Sequence, residues 1–197
     1  RKRYHLVLLA KDRTGIESIF KIDTIAQDKG YHWKPRVTLD DVITNKEGLV
    51  VLSACTLGVI AQRILDGEVN EGWEIARRLK KEFGEDFYIE VQPHDFSHQI
   101  SVNPMLTKIS EDLDVEPVIT TDAHYKSLGE KELHNAIRAI EFGSKMGEKS
   151  LTGDTYCLLD IKELDEAIRK INLIENFYQK ALANTNTIAD KCNVQLE

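Results

Sequence analysis

Short apolar runs alternate with amphipathic stretches along this chain. Residues 5–10, 49–54, 87–91 and 117–120 are rich in Val, Ile, Leu or Tyr and show no clean polar alternation. Continuous runs of that length are the pattern of strands covered on both faces, as in a parallel sheet. The stretches between them carry helical periodicity. In residues 16–27, Ile16, Ile19, Phe20 and Ala26 fall near one face, and Val59–Leu65 is a short helix stopped by Asp66-Gly67. Residues 70–83 place Trp73, Ala76, Leu79 and Phe83 on one stripe before Gly84, a good helix stop. Residues 100–113 place Val102, Met105, Leu106, Ile109 and Leu113 inward. Pro104 requires that this last helix either start at Asn103-Pro104 or kink there.

Strand–helix alternation of this kind predicts βα units and an α/β fold, built on a parallel sheet or barrel. After Tyr125 the texture changes. Leu133, Ala136, Ile137 and Ile140 mark a helix that ends at Phe142-Gly143, and residues 144–153 read as a Gly- and Lys-rich loop. Residues 156–159 read as a short strand, residues 161–170 as a helix, and the tail as mostly helical. Residues 1–125 therefore form the strand-bearing portion and residues 126–197 a helical segment.

Composition narrows the class. The 197 residues hold 26 Lys and Arg against 33 Asp and Glu, a net charge of −7, with 42% apolar residues. That is the balance of one globular domain with a sizeable core. No apolar run approaches the roughly 18 residues of a membrane span, so no membrane partner is expected. The opening stretch has too short an apolar run for a signal peptide. The acidic balance argues against nucleic-acid binding by bulk attraction, although basic patches stand at Arg1-Lys2-Arg3 and at Arg77-Arg78-x-Lys80-Lys81, the second reading as a solvated helix face. Three widely spaced cysteines, Cys55, Cys157 and Cys192, give no disulfide framework and point to a reducing, cytoplasmic setting.

Candidate chemistry sits at strand ends. Cys55 follows one apolar run, and Asp122-Ala123-His124 follows another. In parallel βα architectures the loops after the strands form the active face. Asp and His one residue apart on an extended segment point the same way and suit a divalent metal; an ordinary hydrogen-bonded turn is the competing reading. Cys55 reads equally as a small buried apolar residue, His5 as a core histidine, and His94 and His98 as loop residues. Gly-x-Gly-x-x-Gly, P-loop, Cys-x-x-Cys, His-Glu-x-x-His and Gly-x-Ser-x-Gly patterns do not occur.

The ordered series of segments adds a resemblance. Tyr4-His5-Leu6-Val7-Leu8-Leu9-Ala10-Lys11, Lys34-Pro35-Arg36-Val37, Glu47 to Cys55, Phe87-Tyr88-Ile89-Glu90-Val91-Gln92-x-His94 and Thr121-Asp122-Ala123-His124-Tyr125 together resemble the PHP (polymerase and histidinol phosphatase) domain of bacterial replicative DNA polymerases. Asn184-Thr185 and Lys191-Cys192-Asn193-Val194 resemble the stretch where that domain closes. The resemblance implies a distorted (β/α) barrel with metal at the C-terminal ends of its strands. It implies metal-ligand roles for His5, Cys55, Asp122 and His124, and pocket-lining positions for Gln92 and His94.

The departures shape the expected function. The His-x-His strand and several further ligands with which the family begins are not in this sequence, nor are the catalytic carboxylates of the polymerase palm. The expectation is an incomplete PHP-type barrel with parallel strands and an incomplete site for Zn, Mn or Mg. It acts as a structural and interaction module in DNA replication, with little phosphoesterase or 3′–5′ exonuclease activity alone. Its partners are the rest of the polymerase α chain and a proofreading exonuclease subunit, with DNA reached only through the full polymerase. The alternative is a free-standing metal-dependent phosphatase of the histidinol-phosphatase kind.

Overall fold

A computed structural model describes residues 2–148, 156–171 and 173–195. Four strands, β1 (Val7–Ala10), β2 (Leu49–Leu52), β3 (Phe87–Val91) and β4 (Glu116–Ile119), form one open sheet in the order β1-β2-β3-β4. Helices α1 (Arg13–Asp28) and α2 (Leu39–Thr44) join β1 to β2, α3 (Val59–Leu65) and α4 (Val69–Phe83) join β2 to β3, and α5 (Ser97–Asp112) joins β3 to β4. Then follow α6 (Lys131–Phe142), α7 (Ile161–Lys170) and α8 (Glu175–Lys191). The architecture is α/β, an open and mostly parallel sheet followed by a mostly helical final third.

The strands β2, β3 and β4 are parallel, as their connections require, but β1 runs antiparallel to β2, with Val7 opposite Leu52 and Ala10 opposite Leu49. All-parallel pairing is therefore corrected at one edge. An apolar run buried on both faces carries no mark of its direction, so tertiary packing decides it. The turn from α2 into β2 meets the start of α1 closely. A Cβ at Gly15 would collide with the Gly48 carbonyl oxygen, and the Lys11 backbone N–H donates to that same oxygen at 2.8 Å.

The two sheet faces are covered differently. Leu49, Val51, Phe87, Ile89, Val91 and Ile119 join the main core with residues of α3, α4 and α5, including Ile60, Leu79 and Leu106. The other face carries Val50, Leu52, Tyr88 and Val118, packed by Ile188 of α8. Helix α8 is tied to the edge strand β4 through Asn184, which donates to the Pro117 carbonyl at 2.8 Å and to Glu116 at 2.9 Å. Proline in a strand is suited to such an edge.

Several local expectations change. Helix α5 begins at Ser97 and runs through Pro104. Its early turns are fixed from outside: Asn103 Nδ2 donates to the Gln92 carbonyl at 3.0 Å, and Gln99 Nε2 donates to Asn103 Oδ1 at 2.6 Å. Helix α2, which apolar periodicity does not reveal, is short and closed by a Thr38–Asp41 capping box. Residues 156–159 are not a strand; Cys157 makes a single bridge with Tyr125. The loop expected over 144–153 lies partly outside the described residues. Among the described residues, no helix is long and apolar enough to cross a membrane.

Candidate metal centre at the strand ends

The antiparallel β1 brings its leading residues to the end of the sheet where β2, β3 and β4 finish. His5, two residues before β1, pairs with Gly58 in an isolated bridge and donates its backbone N–H to the Leu57 carbonyl at 2.9 Å. Its Nδ1 lies 3.5 Å from Cys55 Sγ. His5, Cys55, Asp122, Glu90 and Gln92 line one pocket of about 420 Å³. Two of its backbone positions are left-handed, Ala54 at φ 67° and Asp122 at φ 45°. For non-glycine residues that conformation costs about 1–2 kcal/mol, and it turns the chain sharply just beyond β2 and β4. Backbone strain of this kind concentrates at functional sites.

Glu90 is the residue that pattern reading passes over. It is 4% exposed, in mid-strand. Thr120 Oγ1 and Gln92 Nε2 both donate to its Oε1, at 2.5 and 2.9 Å, while Oε2 is buried without a hydrogen-bond partner among the described residues. Burial pushes the Glu90 carboxyl above its usual range; the Thr120 and Gln92 bonds oppose this, and the nearby Asp122 charge adds to it. Burial likewise raises the Cys55 thiol, with Asp122 and Glu90 reinforcing the effect. A carboxylate inside an otherwise apolar strand is the available signal, since burying an unpaired charge is costly.

The remaining candidates stand around rather than in this pocket. The lining residues do not include His124, whose Nδ1 lies 2.6 Å from the Asp122 carbonyl oxygen and whose ring meets Tyr156 and His134 edge-on. Nor do they include His94, which is fully buried and stacked on Tyr156 with centroids 4.1 Å apart. Burial, and then the proximity of His124, lower the His94 imidazole to about 4, so it is neutral at pH 7. Burial also raises the Tyr156 phenol to about 12, helped by Asp122. Tyr156 thus links the two histidine positions, and the sequence pattern does not single it out.

The donor types fit a divalent ion. Imidazole, thiolate and carboxylate suit a zinc-like metal better than Mg²⁺, and the bare Glu90 oxygen adds a buried acceptor. The fit is partial: among the described residues, no three His, Cys, Asp or Glu side chains converge into a preformed metal cluster.

Comparison with known proteins agrees with this architecture. Residues 1–94 match the PHP domain family. The chain is 34% identical over 194 residues to the DNA polymerase III subunit alpha of Borreliella burgdorferi, covering 96% of this chain and 16% of that protein. It is 30% identical to the same subunit of Aquifex aeolicus over 191 residues, covering 95% of this chain and 16% of that protein. With the Treponema pallidum subunit it shares 30% identity over 203 residues, covering 100% of this chain and 16% of that protein. The chain thus spans about one sixth of the length of these relatives. Over residues 1–94 the chain is similar to PHP domains, and over 95–100% of its length it is similar to one part of DNA polymerase III α subunits.

Proposed function

We propose that the chain serves DNA replication as the PHP module of a DNA polymerase III α-type polymerase, a structural and interaction platform that holds a divalent ion through His5, Cys55 and Asp122, with His124 beside them. The observation that carries this reading is the convergence of His5, Cys55 and Asp122 on one strand-end pocket, in a chain alignable over 95–100% of its length with such subunits. The rest of an α chain is the first partner of the module, and a proofreading exonuclease subunit the second. DNA polymerisation belongs to those other parts, and the setting is the cytoplasm.

When bound, a divalent ion at this pocket would supply Lewis-acid chemistry toward a phosphate ester. The chain's own residues do the rest. His5 and Cys55 offer two donors in contact. Glu90, anchored by Thr120 and Gln92, sets a buried carboxyl group close to Asp122. Tyr156 packs the imidazoles of His94 and His124 into place. With two donors in contact, the chain alone is expected to be a negligible phosphoesterase.

Titration of the apo chain with Co²⁺ tests the reading. One ion per chain is expected, with a thiolate-to-cobalt charge-transfer band that disappears in Cys55→Ser and at least a tenfold loss of affinity in Asp122→Ala. Absence of that band in the parent chain would sink the assignment. Mn²⁺-dependent hydrolysis of a nitrophenyl phosphate, abolished in Asp122→Ala, would replace the structural role with an enzymatic one.

A further inference from the structure

A second and larger cavity, about 820 Å³, lies beside the first and shares Tyr4, His5 and Leu6 with it. Its walls are the N-terminal segment before β1, the loop between α1 and α2, and the start of α3. The floor is apolar, from residues such as Leu8, Leu39 and Val42, and the rim is cationic: Lys2, Arg3, Lys34 and Arg36 line it, and its lining contains no Asp or Glu. In a chain of net charge −7, a cleft walled by four cations and no carboxylate is a strong local departure. Lys2 is bound to Asp66 at 2.6 Å, whereas Arg3, Lys34 and Arg36 make no ion pair among the described residues.

The loop that supplies two of these cations is built in an unusual way. Trp33 is 87% exposed and Tyr31 61% exposed. Trp33 also has a left-handed backbone, φ 66°, at the tip of a turn closed by the His32–Lys34 bridge. Displaying an indole to water forgoes its hydrophobic burial, and the backbone adds strain. The loop is nonetheless held in shape. A Cβ on Gly30 would collide with the Arg36 carbonyl oxygen, so the two ends of the loop approach as closely as only glycine permits. The sequence Tyr31-His32-Trp33-Lys34-Pro35-Arg36 thus presents aromatic faces immediately before cations that line a cleft. Unpaired cations track phosphates and exposed aromatic rings stack bases, and together these two features define sequence-tolerant recognition of single strands.

We propose that this cleft binds single-stranded nucleic acid, with Arg3, Lys34 and Arg36 on the phosphodiester backbone and Trp33, aided by Tyr31, stacking on a base. The assignment is independent of the metal reading, because the cations and rings it uses are not the donors of the smaller pocket. The net charge excludes non-specific attraction over the whole surface, not a cleft of local opposite sign.

Fluorescence anisotropy of a labelled oligo(dT) with the 197-residue chain, in EDTA and across a salt series, tests this. Binding in EDTA is expected, weakening with salt. Trp33→Ala should lower affinity about tenfold, consistent with about 1–3 kcal/mol per stacked base, and Trp33→Phe should recover most of it. The Lys34→Glu/Arg36→Glu pair should lower affinity more than tenfold and reduce the log–log salt slope by roughly 1.4, about 0.7 for each phosphate left without its cation. Lys81→Glu, on the exposed face of α4, should change affinity less than about twofold, with circular dichroism confirming that every variant is folded. No binding at low salt would overturn the proposal. So would equal weakening by Lys81→Glu, or a polyglutamate peptide binding as tightly as oligo(dT). Competition by inorganic phosphate alone, with no effect of Trp33→Ala, would likewise overturn it, by reducing the cleft to a simple anion site.

Discussion

At the scale of single residues, His94 shows how burial alone sets chemistry. The imidazole is fully buried against Tyr156 and titrates near 4 rather than 6.5. A folded-state value below the unfolded one means that the unfolded chain takes up the proton first. The stability contributed by neutral His94 is therefore complete above pH 6.5 and is lost as pH falls toward 4. The full window amounts to roughly 3 kcal/mol. Urea unfolding of the parent and of His94→Gln is expected to give a gap that narrows between pH 6.5 and 4; a constant gap would show that His94 does not titrate in this range.

The same scale shows the limits of reading residues from a sequence. Cys55 and Asp122 are legible as polar residues just past apolar runs, and they do line one pocket. His5 precedes its strand, so its arrival beside Cys55 depends on β1 running antiparallel. Glu90 escapes a search for strand-end residues because it sits within a strand, and its partners Thr120 and Gln92 come from two separate strand ends.

At the scale of elements, α8 is fastened near its middle and at its C-terminal end. Asn184 holds β4, while Lys191 reaches Asp86 at 2.9 Å and the Glu85 carbonyl, with Lys11 completing the group 2.5 Å from Asp86. Beyond Lys191, the Asn193 backbone N–H donates to the Lys11 carbonyl at 2.9 Å. Burial works to raise the Asp86 carboxyl, but hydrogen bonds and charge from Lys11 and Lys191 outweigh it and hold the group below 3.8. With the folded value depressed, this stabilisation is fully present above the unfolded value and is lost as pH falls through the folded one. Asp86→Asn is expected to be destabilising at pH 7, and the difference from the parent should fade below about pH 3.8. Thermal melts at pH 7 and pH 3 check it, and an undiminished difference at pH 3 would assign the effect to packing.

Helices are legible where apolar periodicity and a glycine stop coincide, as in α4, and obscure where tertiary bonds define the start, as in α5. Pro104 signals a break, yet the buried Asn103 and Gln99 bonds sustain the preceding turns. Helix α6 is the opposite case. Its periodicity is real, but Leu133, Ile137 and Ile140 all face outward, and the helix buries no residue.

At the scale of the whole molecule, stability resides in the main core between the sheet and α3, α4 and α5. Ile89, fully buried at the centre of β3, should lose about 2–5 kcal/mol when changed to Ala. Ile137→Glu and Ile140→Glu on α6 should shift stability by less than about 0.5 kcal/mol each. Chemical denaturation of the three variants measures this contrast, and a large loss from either α6 variant would mean that its face is covered in solution. Charge also reads differently at this scale. The value of −7 describes the surface as a whole, whereas the cleft beside the N-terminal segment gathers cations from Lys2 to Arg36.

The sequence by itself determined the alternation of strands and helices, the α/β class, the ordered segments that resemble a PHP domain, and the residue types gathered at strand ends. Local periodicity and side-chain chemistry are properties of neighbouring residues, so they survive in one dimension. Tertiary structure alone decided the direction of β1, the meeting of His5 with Cys55, the burial of Glu90 and His94, and the cleft formed by Arg3, Lys34 and Arg36. Each depends on residues tens of positions apart, and a strand buried on both faces does not encode which way it must run.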